Sequence, residues 1–230
     1  MGSVVENLAE VRTRIVVAAT RSGREPETVQ LVAVSKHQPV EAIRQAMEAG
    51  QMLFGENYLQ EAQEKIGQLG ARGGWHCIGH VQSNKARLAA ELFQCVETVD
   101  RVKLAAALDK RLTELGRRMD VLVQVNVGGE AQKSGVNPQE AAALCEALQQ
   151  FPMLRLRGLM TMPPWQEDPE ASRPYFRQLR LLAEKLAAAG LLGQHGPVML
   201  SMGMSADFEV AIEEGATLVR VGTALFGERL

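Results

Sequence analysis

Apolar positions along this chain change their period repeatedly. Between residues 4 and 21 they recur at helical spacing, with Leu8, Val11, Ile15 and Ala18 on one face, and predict an opening helix. Beyond it, short β-branched or apolar runs alternate with longer amphipathic stretches. The short runs predict eight strands: Leu31 to Ser35, Leu53 to Gly55, Trp75 to Gly79, Cys95 to Thr98, Val121 to Val125, Leu156 to Leu159, Val198 to Leu200, and Leu218 to Val221. Helical segments fit between them at 39–49, 57–69, 101–117, 138–150 and 170–189. Strands separated by helices pair in parallel through right-handed crossovers. Eight is the number that closes a (β/α)8 TIM-type barrel, and an open doubly wound sheet is the competing arrangement. The alternation runs to the last residues, and no Pro-, Gly- or Ser-rich linker interrupts it. The expectation is an α/β chain: one barrel domain over residues 1–230, with an extra N-terminal helix, ending just after the eighth strand and Gly227.

Composition narrows the picture. A chain of 230 residues suffices for one sizeable core and is short for two full domains. The formal net charge is −2 and the signs are interspersed, which excludes a dominant electrostatic attraction to nucleic acid or to an anionic membrane. Arg117-Arg118 and the run from Arg173 to Arg180 read as solvated helix faces. The cysteines, Cys77, Cys95 and Cys145, are odd in number and far apart, so a disulfide framework is not expected. No apolar run approaches the roughly 20 residues that span a bilayer. The first residues lack a signal-peptide pattern, and Glu6 breaks the myristoylation motif that Met1-Gly2 would begin. A cytoplasmic protein with no membrane or nucleic-acid partner is expected.

Two regions carry candidate chemistry. Lys36 follows the first strand, where barrels collect functional groups. Partial desolvation there lowers an ammonium pKa and favours the neutral amine that attacks an aldehyde. A lysine snorkelling from a strand end is the plain alternative. Ser201-Met202-Gly203-Met204-Ser205-Ala206-Asp207 follows the seventh strand, and Arg220-Val221-Gly222-Thr223 closes the eighth. Both mix glycine, which permits close backbone approach, with hydroxyls that donate to phosphate oxygens. A helix expected to start near Ser205 would add a favourable N-terminus, and barrels often bind phosphate after strands seven and eight. Alternatively, Ser205 or Asp207 only caps that helix and Gly222 only turns the chain. An anion site opposite an amine suggests pyridoxal 5'-phosphate (PLP) or a sugar-phosphate aldehyde.

The segments Val34-Ser35-Lys36, Phe54-Gly55-Glu56-Asn57-Tyr58, Trp75 to Lys85, Leu159-Met160-Thr161-Met162, Ser201 to Asp207 and Arg220 to Gly227 resemble the YggS/PROSC family of PLP homeostasis proteins. They occur in order, and they cover nearly the whole chain. The resemblance implies a barrel like the N-terminal domain of bacterial alanine racemase, with PLP held as an aldimine on Lys36. It implies phosphate contacts from Ser201, Gly203 and Ser205 and from Gly222-Thr223, with Arg220 facing the pyridine nitrogen. It implies a role in PLP and vitamin B6 balance and no established catalytic reaction. Cys77 stands where Phe is common and Leu225 where Ile is common.

The remaining candidates follow from position. Asn57 and His80 lie past the second and third strands, on the rim that carries Lys36, and are expected to contact the ring or to serve structurally. Met160, Met202 and Met204 are expected to line the pocket. Neighbouring strand residues point to opposite faces, so His76 and Cys77 do not suggest a metal site, and none is expected. Asn126 to Gly135 reads as a mobile loop over the mouth, and its Lys133 is either a second amine for PLP or a solvated lysine. A cation at the pyridine nitrogen weakens the ring as an electron sink. The only tyrosines are Tyr58 and Tyr175, so a second base is not evident. The expected function is a monomeric PLP carrier or regulator that exchanges its cofactor with apo PLP-dependent enzymes, and not an enzyme. A weak amino-acid racemase is the alternative, and an aldolase using a lysine without PLP is a third reading.

Overall fold

The alternation of period becomes an alternation of elements. The computed structural model describes residues 2–70, 72–130 and 134–227. Lys133, the candidate second amine, lies outside the described residues. In chain order the elements are α1 (Val4–Arg21), β1 (Gln30–Val34), α2 (Val40–Glu48), β2 (Leu53–Glu56), α3 (Leu59–Leu69) and β3 (Gly74–Cys77). Then follow α4 (Ala86–Leu92), β4 (Cys95–Val99), α5 (Val102–Leu115), β5 (Met119–Gln124), α6 (Ala141–Leu148) and β6 (Leu154–Met160). The chain continues through α7 (Arg173–Ala188), β7 (Met199–Ser201), α8 (Phe208–Glu213), β8 (Leu218–Val221) and α9 (Thr223–Phe226). Every strand pairs in parallel with its sequence neighbour, and β8 pairs with β1, so the sheet closes into a barrel. The open doubly wound sheet is thereby excluded.

Strand boundaries differ from expectation by a few residues. β1 stops at Val34, which places Lys36 in the turn two residues beyond it. The helices α4, α8 and α9 are 7, 6 and 4 residues long, too short to establish a period in the sequence. The expected helix at Ser205 begins instead at Phe208.

Alternation along the strands sorts the core into two compartments. Leu31, Ala33, Phe54 and Val219 face the surrounding helices and join the large outer core. Val32, Cys95, Leu122, Met160 and Leu218 form a separate cluster inside the barrel. That inner cluster plugs the lumen. Two residues further along β4 and β8 stand Glu97 and Arg220, so the interior becomes polar towards the C-terminal rim.

α1 supports the rim from outside. Its start is fixed by a capping box: Ser3 Oγ accepts from the Glu6 N–H, and the Glu6 carboxylate accepts from the Ser3 N–H. Leu8, Val11, Ile15 and Ala18 are buried, and α1 packs on α8, α9 and α2. Arg14 lies 4.6 Å from the centre of the Phe208 ring and pairs with Glu209 at 2.6 Å, both on α8. The expected solvated arginines of α7 also work here, since Arg173 and Arg180 reach Glu213 or Glu214 at the end of α8.

α8 must lie close against the loop after β7. Gly203 adopts φ +90°, and a Cβ there would lie 2.5 Å from Ala211 Cβ and 2.9 Å from Phe208 Cα. Both the conformation and the space require glycine. Gly203→Ala is expected to destabilise the protein by about 3 kcal/mol, from overpacking and backbone strain of about 1–3 kcal/mol each. Urea unfolding should show this as a lower midpoint at unchanged slope.

Candidate functional site

A cavity of about 290 Å3 opens at the C-terminal rim of the barrel. Its wall is contributed by Lys36 and Gln38 after β1, Asn57 after β2, Arg220 on β8, and Ser205, Gly222 and Thr223. Met162 and the largely exposed Trp165, both after β6, stand at its mouth. The β1–β8 register pairs Val32 with Arg220 and Ala33 with Val221, which brings the Lys36 turn beside Gly222. A Cβ at Gly222 would sit only 3.3 Å from the Val34 carbonyl oxygen. The glycine therefore lets these two strand ends close up.

Arg220 is 3% exposed, and its charge is answered by a chain of hydrogen bonds across the lumen. It donates to Ser201 Oγ and, at 2.8 Å, to the Thr161 carbonyl. Ser201 Oγ donates in turn to Glu97 Oε2 at 2.5 Å. Glu97 Oε1 lies 2.6 Å from His76 Nδ1. Strands β4 and β7 are not neighbours, so the Glu97–Ser201 bond crosses the barrel interior. Desolvation alone would raise the Glu97 pKa. The hydrogen bond and charge of His76, the charge of Arg220 and the bond from Ser201 outweigh it and hold Glu97 below the usual carboxylate range. Desolvation lowers the Arg220 pKa against the pull of Glu97 and Asp207. A guanidinium starts so high that it stays cationic.

The opposite wall is built from backbone and hydroxyls. Ser205 Oγ accepts from the N–H groups of Gly222 and Ala224, each at 3.3 Å. Asp207 Oδ1 accepts from the Met204 N–H at 2.7 Å and shapes the loop. Neither residue caps α8 through its side chain. Thr223 is exposed at the rim.

A second buried network lies behind Lys36. Lys65 on α3 is 5% exposed and donates to the Ser35 carbonyl at 2.5 Å, to Glu56 Oε1 at 2.8 Å and to Glu61 Oε1 at 2.6 Å. Ser35 Oγ donates to the same Glu56 oxygen at 2.7 Å. Glu61 Oε1 also accepts from the His37 N–H at 2.5 Å. His37 has φ +60°, in the left-handed region. Desolvation pushes Glu56 above the usual carboxylate range despite Lys65 and Ser35.

The ten residues expected to hold a ligand fall into three groups. Lys36, Asn57, Ser205, Arg220, Gly222 and Thr223 line the cavity. His80 lines an adjoining cavity shared with Asn57, and its Nδ1 lies 3.6 Å from Asp100 Oδ2. Met160, Ser201 and Gly203 are buried behind the wall: Met160 belongs to the inner plug, Ser201 carries the Glu97–Arg220 bond, and Gly203 packs against α8. The methionines at the wall are Met162 and Met204, while Met202 is core. His76 and Cys77 face opposite sides, as expected. Burial pushes the Cys77 thiol up to about 12. Among the described residues no group of three or more His, Cys, Asp or Glu side chains is placed to hold a metal ion. Glu97, His76, Glu56, Glu61 and Lys65 escaped the sequence reading as site residues. A carboxylate among apolar strand neighbours, as in Cys95-Val96-Glu97-Thr98-Val99, was the signal available for the first of them.

The alanine racemase N-terminal domain model matches residues 7–230. A Pseudomonas aeruginosa protein named pyridoxal phosphate homeostasis protein is 49% identical over 230 residues, spanning 100% of this chain and 97% of that protein. An Escherichia coli K12 protein of the same name is 46% identical over 236 residues, spanning 100% and 98%. The structure of PipY from Synechococcus elongatus with PLP bound superposes with a TM-score of 0.85 at 38% identity, covering 98% of this chain and 100% of that one. An alanine racemase from Clostridium difficile shares the fold, with a TM-score of 0.71 at 16% identity over 94% of this chain and 55% of that one.

Glu97→Gln is expected to cost about 3 kcal/mol or more, because it leaves the Arg220 cation buried without its counter-charge. The folded pKa of Glu97 is depressed, so its contribution is present above the ordinary value near 4.5 and is lost as pH falls through the lower folded value. Urea unfolding of both proteins at pH 7 and at stepped acid pH should show the gap narrowing on the acid side. A gap that stays constant with pH would refute the assignment.

Proposed function

We propose, on the premise that this chain belongs to the alanine racemase N-terminal domain family and within it to the pyridoxal phosphate homeostasis proteins, that its rim cavity holds PLP on Lys36 for keeping and exchange. PLP binding and a part in PLP homeostasis follow from that membership. The observation carrying the finer reading is the convergence, in one cavity, of a strand-end lysine, an interior guanidinium and a hydroxyl- and glycine-lined wall.

The residues fit the group. The cavity is close to the lower end of the size of small-ligand sites, about 300 Å3. Lys36 supplies the amine for a Schiff base, Arg220 a cation suited to a ring nitrogen, and Ser205, Gly222 and Thr223 the donors suited to a phosphate. Bound PLP brings a reactive aldehyde on an electron-withdrawing ring. Arg220 disfavours a proton at any ring nitrogen it faces, and so weakens that withdrawal. Ser201 and Glu97 hold the guanidinium in place, which keeps its charge at one point of the cavity floor.

A racemase would need a second proton-transfer group opposite the lysine. Tyr58 is 51% exposed, is not part of the cavity wall, and packs its ring 5.1 Å from that of His37. His80 stands in the adjoining cavity. This arrangement supports a carrier or regulator over a racemase; with it we propose apo PLP-dependent enzymes as recipients and a monomer as the working form. The cysteines are buried and not bridged, which supports a reducing, cytoplasmic setting.

Purified protein mixed with PLP should develop a visible absorbance band, borohydride should fix the cofactor to Lys36, and Lys36→Ala should lose at least about 90% of the adduct, a tenfold effect. An adduct mapped mainly elsewhere would refute Lys36 as the carrier. Rapid α-proton exchange with an amino acid, abolished by Lys36→Ala, would overturn the carrier reading in favour of a racemase.

A further inference from the structure

The network behind Lys36 is absorbed neither by the cavity nor by the Arg220 chain. It grips the backbone on both sides of that lysine. Residue 35 is held twice, through its carbonyl by Lys65 and through its hydroxyl by Glu56. Residue 37 is held through its N–H by Glu61. The two halves meet at Lys65, which donates to Glu56 and to Glu61 at once. Residue 37 is also the one non-glycine position with positive φ among the described residues. A left-handed conformation of this kind costs of order 1–3 kcal/mol and persists only where surrounding contacts impose it. Here the contacts on the turn are the Glu61 carboxylate, itself held by Lys65, the Gln38 N–H bond to the Ser35 carbonyl at 3.0 Å, and the Tyr58 ring 5.1 Å from that of His37; the first of these reaches in from α3.

Burying an ammonium with two carboxylates is a costly way to stabilise a fold, since apolar side chains of similar volume often do as well. What the arrangement supplies is direction. Its donors and acceptors end on residues 35 and 37, so the backbone is held on both sides of Lys36.

We propose that Lys65 and Glu61 are positioning residues for Lys36: they lock the β1–α2 turn so that the lysine amine enters the cavity at the angle its covalent link requires. The inference rests on the reading that Lys36 carries the cofactor. The link forms when the neutral amine, its extra proton given to water, adds to the aldehyde carbon and one water leaves. Trajectory matters for that bond and not for non-covalent contacts to ring or phosphate. The network should therefore act on an aldehyde ligand and spare an alcohol of the same shape.

The test uses the whole protein and two ligands, PLP and pyridoxine 5'-phosphate, which carries an alcohol in place of the aldehyde. Glu61→Ala removes the acceptor from the partly exposed side of the network, and Glu61→Gln keeps an acceptor oxygen while removing the charge. Glu61→Ala should weaken PLP binding about tenfold, the scale of one lost hydrogen bond to a charged group, and leave pyridoxine 5'-phosphate binding within about twofold. Glu61→Gln should recover most of the PLP affinity. Lys65→Met, scored by the same ratio of the two affinities, provides a second variant from the buried side. Thermal melts monitor folding of each variant. Equal losses for both ligands would mean a structural role only and would overturn the inference. Unchanged PLP affinity in Glu61→Ala would overturn it as well. Failure of the wild-type protein to form a borohydride adduct on Lys36 would instead overturn the reading beneath it.

Discussion

A cation enclosed in a barrel has to be answered from within the barrel. Arg220 is almost wholly buried, and taking a charge out of bulk water is costly unless it is paired. The solution here is a relay from Arg220 through Ser201 and Glu97 to His76, drawn from four strands. Because β4 and β7 are not neighbours, the relay fixes the cross-section of the lumen as well as the charge. The cavity floor is thus a by-product of electrostatic bookkeeping inside the fold, and the elements outside are arranged to keep it. α1 clamps α8 through Arg14, and α7 clamps its other end through Arg173 and Arg180.

The two buried networks divide the work. One serves the Arg220 cation near the end of the chain, and the other serves the Lys36 turn near its beginning. Arg220 and the Lys36 turn are separated in sequence by well over a hundred residues and lie side by side because β8 pairs with β1. Closure of the barrel is therefore a condition of the site and not just its scaffold. The same closure brings Gly222 against Val34, so that the amine turn and the hydroxyl wall share one edge.

Much of this was legible in the amino-acid order. The opening helix was read to the residue, Val4–Arg21, because its period is long and capped. All eight strands were found, with ends wrong by up to a few residues, since a run of apolar side chains does not mark where hydrogen bonding stops. The short helices α4, α8 and α9 do not hold a pattern long enough to read. Six of the ten expected site residues line the cavity. The others show what sequence hides. Met160 and Ser201 sit near cavity-lining residues in the chain, yet their depth in the barrel is set by register. Glu97 and Lys65 act through partners from distant strands and loops, and no local spacing reveals such a partner. The family resemblance reached further than the pattern, because it compared whole motifs in place of single positions.

The inner plug has a consequence of its own. Val32, Cys95, Leu122, Met160 and Leu218 fill the lumen beneath the relay, so the barrel is a well and not a tunnel. Whatever enters by the rim must depart by the rim. Entry and exit of any ligand therefore share one doorway. A second ligand can be seated only after the first has gone.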